Sequence, residues 1–163
     1  MLLDLMHKYC CRYNITMVAY CLIPNHYHFL LRQDGEVSDS KYVQTLFNSF
    51  VQKINKKYNR QGTIFKGRAQ SRAVETEAYL YHLCRYIHAN PVKHGLVNNP
   101  TDWLYSNYRE YLQVREGNLY DSSFFDNVFE NPNDYKKWVN EYIESIFDSH
   151  AKTDPNYKDL YLE

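Results

Sequence analysis

Two histidines one residue apart, and a tyrosine and an asparagine four residues apart, carry the clearest chemical signal in this chain. The histidines are His26 and His28, in "IPNHYHFLLR", and the second pair is Tyr86 and Asn90, in "CRYIHANPVKHGLV". On a β-strand, residues i and i+2 point to one face, so His26 and His28 can hold one metal ion between two imidazoles. On a helix, residues i and i+4 are neighbours, so Tyr86 can present its phenolic oxygen beside the amide oxygen of Asn90. Two imidazoles, an amide and a tyrosine suit nucleophilic attack on a phosphodiester polarised by a metal. Neutral imidazole is a good ligand for zinc, manganese and related ions and a less natural one for magnesium. Blander readings stand beside this one. A strand histidine is commonly structural, and in a chain with 17 tyrosines any one of them is by default packing or surface. Tyr79 and Tyr81 compete for the nucleophile's part on the same helix; Tyr86 leads because Asn90 lies one turn on.

The elements that would position these groups follow from periodicity. Leu2, Leu5, Met6, Tyr9, Cys10 and Tyr13 fall at helical spacing, so residues 2–13 open the chain in an amphipathic helix. "ITMVAYCLI" (15–23) reads as a strand, Pro24-Asn25 as a turn, and 26–32 as the second strand of a hairpin, in which Tyr27, Phe29 and Leu31 would bury and leave the histidines on the opposite face. Val43, Leu46, Phe47, Phe50, Val51, Ile54 and Tyr58 make 41–58 the clearest helix. A strand is expected near 69–74. Thr76 caps a helix that runs to about Ala89 and is stopped by Pro91. Its core stripe is Leu80, Leu83, Cys84 and Ile87, with Tyr79, Tyr86 and Asn90 on its shoulder. "WLYSNYREYL" (103–112) reads as a further short helix, one or two helices follow between Phe124 and Phe147, and the last dozen residues read as polar and frayed.

The bulk properties set bounds. The chain has 163 residues and a hydrophobic fraction of 44%, ordinary for one folded domain. Its longest apolar runs, such as "MVAYCLI", are too short to cross a bilayer. The start lacks the form of a signal peptide, and Cys10, Cys11, Cys21 and Cys84 contain no CxxC pair, which together point to a reduced, cytoplasmic protein with no membrane partner. The formal net charge is +0, but the charges are segregated. Residues 51–94 carry nine Lys and Arg against Glu75 and Glu77, whereas residues 115–163 carry eleven acidic side chains against five basic ones. A basic middle laced with aromatic rings can follow a nucleic-acid backbone while its rings stack on bases. Lys66, Arg68 and Arg72 are its strongest candidates for DNA contact, and Lys93 with His94 can meet phosphate beyond the tyrosine helix. The plain alternative is a solvated surface whose charges happen to cluster.

Taken in order, "AYCLIPNHYHFLLR", "LFNSFVQKINKKYNRQGTIFKGR", "YLYHLCRYIHANPVKHGLV" and "WLYSNYREY" resemble the single-tyrosine HUH transposases, in particular the REP-associated tyrosine transposases and their insertion-sequence relatives. The resemblance runs from about residue 15 to 112 and continues more weakly through the tail. It implies an α+β fold: an antiparallel sheet with helices on one face, ferredoxin-like or RRM-like, in residues 1–112, followed by an acidic helical extension over 113–163. It implies nicking and rejoining of single-stranded DNA beside hairpins through a 5′-phosphotyrosine. The nucleophile then falls on Tyr86, the metal pair on His26 and His28, and the third metal ligand on Asn90. The implied cofactor is a divalent ion, magnesium or manganese, and the implied partners are single-stranded or hairpin DNA; relatives of this kind act as monomers or as homodimers. The alternative within the same resemblance is a catalytically inactive or domesticated module that binds hairpin DNA. Two departures are visible. Members of the family begin with a strand and loop resembling "YHVTxRG", and this chain starts in the helix that follows, so its sheet is expected to lack that strand. Asn107 also stands where a serine is common, which reads as a minor change.

Overall fold

The computed structural model describes residues 1–151, with side chains to residue 148; the frayed end expected over the last dozen residues lies outside the described residues. The fold is α+β, with one two-stranded antiparallel sheet among the described residues and helices making up most of the rest. Two compact units are built from interleaved pieces, residues 1–17 with 31–73 and residues 18–30 with the chain from 74 onward. No helix of the described residues is long and apolar enough to cross a membrane.

The first unit rests on α1 (Leu2–Tyr13) and α2 (Asp39–Tyr58). Leu5, Met6, Tyr9 and Cys10 of α1 are buried, as are Tyr42, Leu46 and Phe47 of α2. Polar pairs tie the two helices where their rims meet: Tyr9 Oη lies 2.7 Å from Ser49 Oγ, and the Tyr13 hydroxyl donates to Thr45 Oγ1 at 3.3 Å. Each helix ends on an asparagine in the left-handed region, Asn14 at φ 51° and Asn59 at φ 46°, the conformation asparagine tolerates best after glycine. Gly35 is required by close approach, since a Cβ there would sit 2.9 Å from the Tyr13 carbonyl oxygen.

From Arg60 to Thr76 the chain is irregular, pinned by Asn55 Nδ2 donating to the Gly62 carbonyl at 2.9 Å and by Phe65 against Phe47. The strand expected near 69–74 does not form. Residues 66–73 are all exposed. The segment lacks the alternating apolar residues that would give a strand a face to bury.

In the second unit the hairpin of β1 (Ile15–Leu22) and β2 (Tyr27–Gln33) contributes its tip. The Ile23 N–H donates to the His26 carbonyl at 3.0 Å and closes the turn. On its other edge β1 makes a single bridge, Cys21 to Ser106, with the Leu22 N–H donating to the Tyr105 carbonyl. The buried residue of β2 is Leu30, at 5% exposure, while Tyr27, Phe29 and Leu31 are only half-buried. This reverses the expected sides: Leu30 lies on the face of His28, and that face turns toward the core formed with Cys84 and Ile87.

Helix α3 (Glu77–Lys93) is capped by Thr76, whose side chain accepts from the Tyr79 N–H. It does not stop at Ala89. Pro91 lies inside it, and the final turn closes through the His94 N–H to the Asn90 carbonyl and the Leu96 N–H to the Pro91 carbonyl, both at 2.9 Å. Burial of Asn90, Pro91 and Val92 offsets the hydrogen bond that proline cannot make. The segment 103–112 yields only one turn, α4 (Tyr108–Tyr111), after a 3₁₀ turn at Pro100–Asp102. Then follow α5 (Ser122–Val128) and α6 (Pro132–Ala151), and α6 packs along α3.

A buried polar chain ties this unit together. Asn107, 0% exposed, accepts on Oδ1 from the Tyr20 N–H and from His88 Nε2, each at 2.8 Å, and donates from Nδ2 to the Val18 and Leu119 carbonyls, each at 3.0 Å. Because Oδ1 only accepts, the His88 proton sits on Nε2. Nδ1 must then accept, from the Tyr135 hydroxyl 2.5 Å away, and the Cys84 thiol at 3.3 Å donates to that hydroxyl oxygen. Every hydrogen in the row thus has one direction.

Burial pushes His88 down from 6.5 to about 4, and His28 likewise. Folded-state values below the unfolded one mean that the unfolded chain takes up protons first. Stability is therefore expected to be complete above about pH 6.5 and to fall as the pH drops toward 4. Melting temperature followed by circular dichroism from pH 7.5 to 4.5 checks this, and His88→Gln should flatten the profile.

Candidate metal and nucleophile site

The hairpin tip and α3 bring the singled-out residues together inside the second unit. The His26 and His28 rings lie 4.9 Å apart between centroids, at 89°. The His28 ring lies 5.5 Å from that of Tyr86, edge to face. Asn90, one turn along α3, is fully buried rather than on the shoulder of the stripe, and its Nδ2 donates to the Tyr86 carbonyl at 2.9 Å. Lys93, now the last residue of α3, holds its Nζ 5.0 Å from the centre of the Tyr86 ring. This is a cation–π contact on the ring of the candidate nucleophile.

Two buried polar atoms here have no hydrogen-bond partner, His28 Nε2 and Asn90 Oδ1. Orphans of this kind are costly unless something else satisfies them. Burial, helped by the charges of His26, His94 and Lys93, holds His28 down at about 4, so its imidazole is neutral at ordinary pH and keeps a lone pair for a ligand. His26 Nδ1 lies 2.9 Å from Asn25 Oδ1. That oxygen can only accept, so Nδ1 carries the proton and Nε2 the lone pair, the outer-shell arrangement typical of a metal-binding histidine. Among the described residues no group of three or more His, Cys, Asp or Glu side chains can hold a metal ion. A site built on this histidine pair would therefore need a donor of another type, and the candidate is Asn90 Oδ1, buried and without a hydrogen-bond partner one turn after Tyr86. The donor set His26, His28 and Asn90 fits a divalent ion with open positions.

The rivals for the nucleophile are placed elsewhere. Tyr81 packs against Phe124, 5.8 Å between centroids, and Tyr79 lies two turns before Tyr86. Lys66, Arg68 and Arg72 are exposed on the irregular segment of the first unit. Two further histidines lie here: His94, named from the sequence for phosphate contact, and His82, which sequence reasoning passed over. His94 caps α3 with its ring 5.1 Å from that of His26, and His82 lies 6.5 Å from Tyr86 and nearly parallel to it. The spacing 79, 82, 86 could have flagged His82, because i, i+3 and i+7 share one helix face.

Comparison with known proteins gives three findings. The family model described as IS200-like transposase matches residues 1–90. A Haemophilus influenzae relative classed with the REP-associated tyrosine transposases is 29% identical over 115 residues, covering 64% of this chain and 65% of its own length. This chain thus spans just under two thirds of the curated relative it matches. A solved structure of a REP-associated tyrosine transposase bound to a REP hairpin matches with a TM-score of 0.62 at 19% identity, covering 74% of this chain and 77% of that one, which is a likeness of fold.

Proposed function

Because the chain belongs to the IS200-like transposase family, we propose that it nicks and rejoins single-stranded DNA, with Tyr86 as the nucleophile and with His26, His28 and Asn90 holding a divalent ion, magnesium or manganese. The observation that carries this reading is the meeting of the His26–His28 pair with Tyr86, together with two buried polar atoms, His28 Nε2 and Asn90 Oδ1, that lack hydrogen-bond partners. The Tyr86 oxygen attacks phosphorus. The bond from phosphorus to the 3′-oxygen breaks, that oxygen takes up a proton, and the 5′-phosphate stays esterified to the tyrosine. Attack by a 3′-hydroxyl reverses the step and frees the tyrosine, so the bond energy is conserved and no nucleotide cofactor is consumed. A bound divalent ion supplies Lewis-acid polarisation of the scissile phosphate. Lys66, Arg68 and Arg72 contact the phosphate backbone, so binding should weaken steeply with salt. Hairpin DNA is the preferred partner, as supported by the hairpin bound in the structural relative.

The test is a 3′-labelled hairpin oligonucleotide with a single-stranded flank, incubated with the protein and manganese and run on a denaturing gel. A retarded, protease-sensitive band that disappears with EDTA is the expected result. Binding without that band would leave a DNA-binding module with no chemistry. Separately, His28→Ala should weaken manganese binding in the absence of DNA by at least about tenfold to a hundredfold, read by electron paramagnetic resonance.

A further inference from the structure

Three rings stand in a row on one face of α3. Tyr79 and His82 are 6.4 Å apart between centroids with planes 12° from parallel, and His82 and Tyr86 are 6.5 Å apart at 21°. All three are half-buried, so each keeps part of its surface open. The repeat is about twice the ~3.4 Å advance per nucleotide of a stacked strand. The row ends on the residue proposed as nucleophile.

Two further features fit a strand lying here. Tyr142 of α6 holds the His82 ring edge-on at 5.4 Å and 87°, fixing its plane. Arg85 lies with its guanidinium 5.2 Å from the Trp138 ring and 4.9 Å from that of Tyr142, a fixed cation one residue before Tyr86. Core packing accounts for part of the row, since Tyr86 also packs against the cluster of Ala89, Tyr142 and Ile146. Tyr79 is not among the residues of that cluster or of the one around Cys84 and Ile87, and its ring lies against that of His82.

We propose that Tyr79, His82 and Tyr86 form a stacking platform for the unpaired bases that flank the phosphate attacked by Tyr86, an inference that rests on the single-stranded DNA reading above. Aromatic stacking tolerates any base, because every base has a π-face. The platform therefore sets the path of the strand into the site and leaves sequence choice to other contacts. Arg85 meets the phosphates between the stacked bases.

Fluorescence anisotropy with two labelled 16-mers separates bases from backbone: oligo(dA), and an abasic deoxyribose-phosphate strand of equal length. The wild type should prefer oligo(dA). Tyr79→Leu and His82→Leu should each cut that preference by about fivefold to tenfold while leaving affinity for the abasic strand unchanged, and Tyr79→Phe should restore it. A preference that stays within twofold of wild type in both leucine variants overturns the platform, as does an equal loss for both strands. If His82→Leu lowers the melting temperature, Tyr79→Leu in the first turn of α3 decides alone. Failure of the wild type to bind either strand would overturn the DNA reading and the platform with it.

Discussion

Tyr86→Phe should bind hairpin DNA as the wild type does and form no covalent adduct. The substitution removes one oxygen and keeps the ring that meets His28 edge to face and lies beneath the Lys93 ammonium. Packing against Ala89, Tyr142 and Ile146 is likewise retained. Stability should therefore change by less than about 1 kcal/mol. The loss in adduct formation should be at least about 10⁴-fold, the scale seen when a nucleophile is removed and only binding and electrostatic terms remain. The companion variants make the assignment specific. Tyr79→Phe and Tyr81→Phe keep their rings and should form adduct at wild-type levels. Adduct persisting in Tyr86→Phe and vanishing in either companion would move the nucleophile along the helix.

How much of this was legible in the sequence depended on whether local pattern or tertiary packing decided the outcome. Helices α1 and α2 were readable because an apolar stripe at period 3.6 buries wherever a partner helix exists. The hairpin was readable because β-branched runs flank Pro24-Asn25. The pairing of His26 and His28 followed from strand alternation, and the placing of Asn90 near Tyr86 from the helical repeat. The strand expected near 69–74 does not form because the segment has no alternating apolar residues to give it a face to bury. Pro91 misled for the opposite reason. A proline is a strong local stop, but three buried residues around it carry α3 one more turn, and that turn sets Lys93 over the Tyr86 ring. The sides of β2 were assigned by counting large apolar residues, Tyr27, Phe29 and Leu31. A single Leu30 in the core outweighed them and turned the histidine face inward, which is what lets His28 meet Tyr86.

Asn107→Ala should be among the most destabilising single changes in the second unit. Asn107 read as a minor departure because asparagine and serine are both small and polar; burial and geometry give it a larger part. Its amide uses both donors and both acceptor positions on four groups: the Tyr20 N–H, the His88 imidazole, and the Val18 and Leu119 carbonyls. Alanine would leave three of them, the Tyr20 N–H, the His88 Nε2 proton and the Leu119 carbonyl, without that partner in a place water does not reach, while the Val18 carbonyl keeps the Tyr111 hydroxyl at 2.7 Å. At about 1–3 kcal/mol for each orphaned group, partly relieved by relaxation, the expected loss is roughly 3–5 kcal/mol. In a chain of this size that is a fall in melting temperature of roughly 6–20 °C. Asn107→Ser should lie between the two proteins, since one hydroxyl can replace only part of the four bonds. The loss should also couple to His88. With Asn107 gone, the Nε2 proton has no acceptor, so the double variant Asn107→Ala, His88→Ala should be less destabilised than the sum of the single changes. Strict additivity in that cycle, measured by urea unfolding, would mean that the two side chains do not act as one chain. It would also mean that α3, with Tyr86 and Asn90 on it, is held to β1 by packing alone.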